Sequence, residues 1–317
     1  MTYYNAVFDE RQYRSVTKKA AEYYLESAKS PSIPLIVTEV PDAKEYTHVV
    51  FAEPTGSHAG IEWSEEGRKM NVRTNYATYE LPRIQGLISI SNKDIANFGS
   101  SLIADKHEAE INELVHEVDK AMFHGPKNDE DLQIQEGLIG QLTSITNLTT
   151  AAAADCSTKG EIWHVIKGMI EDIPFAMRES GPDMIMWINE KTFAEASAPD
   201  RIYQDKVEWD FIYDQFIGPK AVHGRKIGQV IITNLINAEA TDDTDGDNAD
   251  TADTLGTHGR ILIMVPDKRW VARVVSRGFS LIGEERHMLH VDQLYGYRGR
   301  VCVFDGDACN YVEALTF

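Results

Sequence analysis

ELPRIQGLISISNKDIANFGSSLIADKHEAEINELVHEVDKAMFHGPKNDEDLQIQEGLIG, residues 80–140, is the stretch that decides the fold. It opens on an extended segment at Leu81-Pro82. Ser91 and Asp94 then have the spacing of a capping box, in which the two side chains satisfy free amides of a first helical turn. The sequence therefore predicts a helix that begins after Ser91 and ends at the His124-Gly125-Pro126 stop.

The predicted helix is long, and its apolar stripe changes sides. About 33 residues at 1.5 Å each span about 50 Å, against a mean near 12 residues in globular proteins. At 100° per residue, Ile95, Phe98 and Leu102 share one face. The face half a turn away carries Ile111, Leu114, Val115, Val118 and Met122. Either the helix packs two bodies on opposite faces, or it breaks near Gly99, where glycine lowers helix stability by about 1 kcal/mol.

The chain before this helix predicts a long β-hairpin. Residues 48–51 and 74–90 are rich in strand-forming side chains, and a turn cluster lies at residues 54–60. The middle of the hairpin, residues 65–69, carries charges of both signs and few apolar groups. Because it buries little against its own subunit, it needs a partner surface or stays mobile.

The remainder predicts an N-terminal helical arm, an α/β body and a strand-rich tail. A second capping box, Thr158 with Glu161, opens an amphipathic helix that Pro174 bends or ends. Strands are expected at 184–188 and 226–236, with a short helix at 190–197 between them. The arm is expected at residues 9–27, and further strands at 260–317.

Composition excludes several classes of function. The formal net charge of −19 over 317 residues disfavours binding to duplex DNA or anionic lipid. No apolar run approaches the roughly 20 residues of a membrane span, and the N-terminus does not resemble a secretory signal. Three cysteines without a Cys-x-x-Cys pair are expected to be reduced thiols.

Catalytic and nucleotide-binding motifs are missing from the sequence. The phosphate-binding loop, the dinucleotide fingerprint and the nucleophile elbow do not occur. Glu113 with His116 and Glu284 with His287 have the Glu-x-x-His spacing of di-metal bundles, but the first pair lies away from the apolar stripe and the second is in strand-rich sequence. His287 and His290 lack a third placed ligand. We therefore expect no catalytic residue, no cofactor and no metal site.

The acidic segment 241–253 is predicted to be a loop. Within it, residues 241–250 include five aspartates that offer the oxygen ligands calcium prefers, but the loop lacks the glutamate that ends an EF-hand site. Ordered calcium binding and a solvated acidic loop both stay open.

The order of these features resembles the Hong Kong 97-like major capsid protein of tailed double-stranded DNA viruses. The resemblance rests on the extended Glu80-Leu81-Pro82, the long helix, the Gly125-Pro126 stop, Gly137-Leu138 and the body around Trp187-Ile188-Asn189. It implies an α+β fold. By this resemblance the chain divides into an N-terminal arm at 1–45, an E-loop at 46–85, a P-domain with its spine helix at 86–141, an A-domain at 142–257 and returning P-domain strands at 258–317.

The resemblance implies a structural protein of a bacteriophage or archaeal virus, not an enzyme. Its subunits would assemble in the host cytoplasm into pentamers and hexamers of an icosahedral virion capsid, with portal and scaffolding or decoration proteins as partners, packaged DNA close by and no membrane. Overlapping E-loops would place the intersubunit contacts at Glu65, Glu66, Arg68, Lys69 and Arg73.

Two alternatives and one family feature accompany this interpretation. An encapsulin, a nanocompartment of the same fold that encloses an enzyme cargo, is the first alternative, and a metal-dependent enzyme is the second. Some family members crosslink an E-loop lysine to an asparagine of a neighbour. Lys69 and Asn310 are the nearest counterparts here, but no alignment places them, and no crosslink is predicted.

Overall fold

The structure is a computed structural model that describes residues 37–51, 74–91, 111–126, 135–144, 154–237, 258–287 and 290–317. Its strands are β1 Val37–Glu39, β2 Glu45–Phe51, β3 Thr74–Glu80, β4 Arg83–Ser91, β5 Ala154–Asp155, β6 Met184–Ile188, β7 Ile202–Tyr203, β8 Lys206–Val207, β9 Ile227–Ile232, β10 Gly259–Met264, β11 Val271–Arg286, β12 His290–Val303 and β13 Cys309–Thr316. Its α-helices are α1 at 111–124, α2 Leu138–Ser144, α3 Glu161–Asp172, α4 Phe175–Ser180, α5 Glu190–Ala196 and α6 Glu208–Ile212. The α+β fold class is confirmed.

The first sheet has four strands in the order β1-β11-β12-β4. Its centre is a long antiparallel hairpin, in which β11 has 16 residues and β12 has 14. Strand β4 runs antiparallel to β12, whereas the short β1 pairs in parallel with β11. The β11–β12 hairpin extends beyond the register of β1 and ends in a tip at His287 and His290.

The second sheet has five strands in the order β5-β13-β10-β6-β9 and is covered on both faces. Every residue of β6 is buried, as expected for a continuous apolar run in a covered strand. Met186 and Ile188 face a core that includes side chains of α3, α5 and α6. Ile185 and Trp187 face the opposite core, which includes side chains of α1 and α2.

Helix α1 lies in the core that the two sheets share. Ile111, Val115, Val118 and Met122 are buried, and Leu114 packs against the same core, which confirms the second apolar stripe. The core contains residues of both sheets, and the ring of Phe123 meets Trp187 edge-on at 6.5 Å between centroids. The two sheets and α1 therefore form one packed body. The first stripe and Gly99 lie outside the described residues.

The predicted end of α1 at His124 is confirmed. Gly125 adopts a positive φ of 100°, and its N–H donates to the carbonyl of Ala121 at 2.8 Å. This is the hydrogen bond of a left-handed helix cap, which glycine forms without a Cβ penalty. Gly137 packs directly on this helix end, and a Cβ there would lie under 3.0 Å from backbone atoms of residues 123–125.

Most local predictions in the body are confirmed. The segment 158–178 forms α3 and α4, which separate at Pro174, and β6, α5 and β9 lie where strand, helix and strand were expected. The capping box is half formed, because Thr158 N–H donates to the Glu161 carboxylate at 2.7 Å. The predicted arm helix at 9–27 and the acidic segment 241–253 lie outside the described residues.

The predicted set of returning strands at 258–317 is divided between the two sheets. β11 and most of β12 belong to the four-stranded sheet, whereas β10 and β13 pair with each other beside β6. The reason is that β10 and β13 are buried apolar strands that complete the sheet begun by β6. The five domain boundaries stay a prediction. Within the described residues, no helix combines the length and apolar character needed to cross a membrane.

Candidate functional site

The candidate assembly element is a two-stranded ribbon formed by β2 and β3. The strands are antiparallel, with Glu45 opposite Glu80 and Phe51 opposite Thr74. Within the described residues they pair only with each other. Seven residues at about 3.4 Å each give each arm a length of about 24 Å.

One face of the ribbon base is aromatic and anchors the ribbon to the subunit. Tyr46, His48 and Tyr79 alternate with exposed neighbours and lie over Phe304, which follows the end of β12. The His48 imidazole stacks on the Phe304 ring at 3.7 Å with an interplanar angle of 4°. The Tyr79 hydroxyl donates to the carbonyl of Val303 at 3.0 Å. These contacts hold the base of the ribbon on the four-stranded sheet.

Burial in this aromatic anchor shifts the pKa values of its titratable side chains. Burial lowers the pKa of His48 below its ordinary 6.5, so the neutral imidazole is favoured against Phe304. Burial likewise raises the pKa of Tyr46 and Tyr79. Nearby, Glu80 at the end of β3 accepts a 2.9 Å hydrogen bond from the Gln135 amide.

The other face of the ribbon carries small polar and acidic side chains. Glu45, Thr47, Thr78 and Glu80 are exposed, and the two threonine hydroxyls lie 3.3 Å apart. An isolated two-stranded hairpin is marginally stable in water, so a ribbon of this kind is stabilised by a surface that covers it. The predicted contact residues Glu65, Glu66, Arg68, Lys69 and Arg73 lie outside the described residues, between the two arms.

The sequence did not single out the anchor itself. The alternation of Tyr46 and His48 with polar residues was a signal for a half-buried strand face. Nothing in the sequence indicated that Phe304 belongs to the anchor. It lies more than two hundred residues after the ribbon strands in the chain and meets them only in the folded structure. Asn310, the nearest counterpart of a crosslinking asparagine, is 3% exposed, and its amide donates to the carbonyl of Met169 at 3.3 Å. Its amide is thus held inside the subunit.

The two Glu-x-x-His pairs do not meet to form a four-ligand site among the described residues. Glu113 and His116 are exposed on α1, away from its buried stripe, as the sequence indicated. Asp292 lies beside His287 and His290, and the ligand atoms of the three residues are within 4.8 Å of one another, although the sequence analysis placed no third ligand near the two histidines. The expectation of no metal site stays a prediction.

The three cysteines are free and buried, as expected of reduced thiols. Burial raises the pKa of Cys156 and of Cys302 to about 12, and that of Cys309 even further. The thiolate is the nucleophilic and metal-binding form of cysteine, so these protonated thiols are poor nucleophiles and poor ligands.

A buried ion pair that the sequence did not predict lies in the core beneath α3 and α6. Arg201 Nε donates to Glu208 Oε2 at 3.0 Å, and both side chains are nearly inaccessible to solvent. Arg201 Nη2 also donates to the carbonyls of Cys156 and Thr158 at 2.8 and 3.0 Å. Glu208 Oε1 accepts from the amide of Trp163 at 3.0 Å. The pair thus joins the starts of two helices.

Comparison with known proteins gives a likeness in structure but not in sequence. No family model matches the chain, and no curated protein is similar to it in sequence. The solved structures it resembles include that of Gordonia phage Cozz, with a TM-score of 0.56 and 14% identity over 89% of this chain and 85% of that one. The capsid of Myoviridae phage XM1 gives a TM-score of 0.54 and 12% identity over 89% and 90%.

A virus-like particle from Pyrococcus furiosus gives a TM-score of 0.52 and 12% identity over 95% of this chain and 98% of that one. These matches cover most of each chain, so the likeness extends beyond any single part of the fold. The expected architecture is therefore confirmed: the chain has the Hong Kong 97-like capsid fold.

Proposed function

We propose that this chain is a major capsid protein, whose copies assemble into pentamers and hexamers of an icosahedral shell around a double-stranded DNA genome. The observation that supports it most is the likeness to viral capsid subunits over about nine tenths of the chain. The protein would function as a structural component of the shell and would not catalyse a reaction. It would belong to the virion capsid, after assembly in the host cytoplasm.

The ribbon supports assembly by its construction. Its base is fixed on the aromatic anchor, whereas its two arms have no third strand among the described residues. A neighbouring subunit is the surface that would cover it, since copies of one chain in a closed shell use the same surface patches again and again. We place the mixed charges at Glu65, Glu66, Arg68, Lys69 and Arg73 in that contact.

The net charge of the chain is compatible with a shell that encloses DNA without binding it tightly. A net charge of −19 opposes tight binding to the phosphate backbone, so packaged DNA would lie near the shell without specific contacts. A portal, and scaffolding or decoration proteins, would be its other partners. No membrane is involved in this proposal.

Negative-stain microscopy of the purified recombinant chain tests the proposal. We expect rings or closed shells over some range of salt and protein concentration. A uniform small species under every condition would overturn it. The charge reversals Glu65→Lys and Arg68→Glu are each expected to weaken assembly, and their combination to restore part of it, whereas Glu179→Lys on α4 serves as a control of equal charge change.

The contents of particles purified from the native source distinguish a virus from an encapsulin. Nuclease-protected double-stranded DNA supports the capsid function. A shell that contains a single enzyme and no DNA would assign the chain to the encapsulins, which share the fold. Stoichiometric metal together with turnover of a substrate by unassembled chain would favour the metal-dependent enzyme instead.

A further inference from the structure

The tip of the β11–β12 hairpin brings two imidazoles and two carboxylates together. We propose that His287, His290 and Asp292 bind a divalent transition-metal ion of the zinc type. Their ligand atoms all lie within 4.8 Å of one another, although the three residues come from both sides of a chain reversal. This site does not depend on the proposed capsid function.

Backbone geometry places the three side chains. The amide of His287 donates to the carbonyl of His290 at 2.8 Å, which closes the reversal and sets the two histidines side by side. Beyond them, Glu285 on β11 lies directly opposite Asp292 on β12. Directly opposed residues of two antiparallel strands project to the same face of the sheet, so Asp292 and Glu285 form the floor beneath the imidazoles.

The separations fit tetrahedral coordination. Zinc binds imidazole nitrogen and carboxylate oxygen at about 2.0–2.1 Å, so two ligands of a tetrahedral ion lie about 3.3–3.4 Å apart. His287 Nε2 lies 3.5 Å from Asp292 Oδ2, and His290 Nε2 lies 3.4 Å from the same oxygen. Two edges of the tetrahedron are thus already at their coordinated length.

Ordinary hydrogen bonds do not account for the cluster. An N–H···O hydrogen bond places its heavy atoms 2.7–3.2 Å apart, which is shorter than both imidazole–carboxylate separations. The other carboxylate oxygen, Asp292 Oδ1, is buried and has no hydrogen-bond partner among the described residues. Opposed carboxylates on neighbouring strands also repel each other, and a cation between them removes that repulsion. A bound dication would replace the long imidazole–carboxylate contacts by metal–ligand bonds and would reduce the repulsion between the two carboxylates.

The ligand chemistry selects the ion. Two imidazoles with one carboxylate suit zinc and its neighbours among the transition metals, whereas calcium and magnesium prefer sites built from oxygen alone. The fourth position is open to water or to Glu285, whose Oε2 lies 3.9 Å from His287 Nε2 and whose side chain is 78% exposed. The bound ion would fasten β11 to β12 at the far end of the longest hairpin described here.

Cobalt titration of the full-length chain tests the site, after chelator treatment and dialysis. Co²⁺ in a tetrahedral site gives intense visible absorption bands, and we expect these bands to saturate at one ion per chain and to disappear when Zn²⁺ displaces it. His287→Ala, His290→Ala and Asp292→Asn should each weaken Zn²⁺ binding by about 10- to 100-fold or more, since even loss of a residue behind a ligand has an effect of that size.

His223→Ala is the matched control. His223 is an exposed histidine with a carboxylate neighbour, Asp183, at 3.9 Å, but it belongs to no three-ligand cluster in the part of the chain that the structure describes. Binding by this variant should equal that of the unchanged chain. Circular dichroism of each variant checks that it is folded.

Three outcomes would overturn the site. The first is failure of the folded, unchanged chain to bind Co²⁺ or Zn²⁺ at micromolar concentration. The second is unchanged Zn²⁺ affinity in the Asp292→Asn and both histidine variants. The third is displacement of Co²⁺ by calcium or magnesium at equal concentration, which would exclude the proposed class of ion. Metal binding can be measured on unassembled subunits as well as on shells. A failure of assembly, which would count against the proposed capsid function, would therefore not affect this test.

Discussion

Removal of one partner of the buried Arg201–Glu208 pair should be among the most damaging single changes in this chain. Glu208→Ala leaves the Arg201 guanidinium without its counter-ion in a site where the pair is 8% and 0% exposed. It also leaves the Trp163 amide without its acceptor. Loss of one member of a buried pair typically lowers the free energy of unfolding by about 3–5 kcal/mol.

The expected loss for Glu208→Ala is therefore about 4 kcal/mol, a large part of the 5–15 kcal/mol that stabilises a typical domain. The double variant Arg201→Met with Glu208→Leu should lose far less, about 1 kcal/mol or even none, because apolar side chains of similar volume remove both charges together. Most of the loss in stability comes from leaving one buried charge unpaired, so the single variant should be less stable than the double variant.

Urea unfolding of the unassembled subunit measures both values. Tryptophan fluorescence is a suitable signal, since Trp163 and Trp209 are next to the pair in contact or in sequence. Glu195→Ala is the control, because it breaks the partly exposed i,i+4 pair with Lys191 and should change the free energy of unfolding by only about 0.3–0.5 kcal/mol. A loss for Glu208→Ala as small as the control, or a double variant worse than the single one, would refute the reasoning.

Three further predictions follow from the described contacts. Gly137→Ala should lower the free energy of unfolding by about 2 kcal/mol, because its Cβ would meet backbone atoms. Gly168→Ala in α3 should raise the free energy of unfolding by about 1 kcal/mol, since no atom of the described residues lies within 4 Å of its Cβ. Equal urea midpoints would contradict both expectations. The lowered pKa of His48 makes the ribbon anchor fully stable above pH 6.5 and weaker as the pH falls through 6.5 toward the folded-state value. Hydrogen exchange of β2 and β3 should show this weakening, and a His48→Phe variant with the same pH dependence would argue against it. The Cys302 thiol, with its pKa raised to about 12, should resist iodoacetamide at neutral pH until urea unfolds the chain, and rapid labelling of the native protein would disprove this.

Sequence periodicity predicted the local elements well. The stripe on α1, the buried strand at Met184–Ile188 and the helix break at Pro174 all depend on spacing or on the missing proline N–H, which are properties of neighbouring residues. The partners of β10 and β13 were not predictable in this way. Pairing between strands far apart in the chain is decided by which buried faces complete one sheet, and sequence spacing carries little of that information.

The residues of the proposed metal site and of the ribbon anchor were likewise only partly predictable from the sequence. His287 and His290 were recognisable as a pair because they are close in sequence. Asp292 shares a strand face with His290 two residues before it, but its approach to His287 depends on the fold, because His287 lies on the other side of the chain reversal. The stacking of His48 on Phe304 likewise needed the return of the chain from β12.

The position of α1 in a core shared by two sheets has a mechanical consequence. A helix that packs on both sheets acts as a strut, so tilting either sheet would require its buried side chains to repack against close-packed neighbours. The body of the subunit should then respond to load as one stiff unit. In the proposed shell, the compliance that a curved lattice needs would be concentrated in the ribbon, of which only the base is held on Phe304.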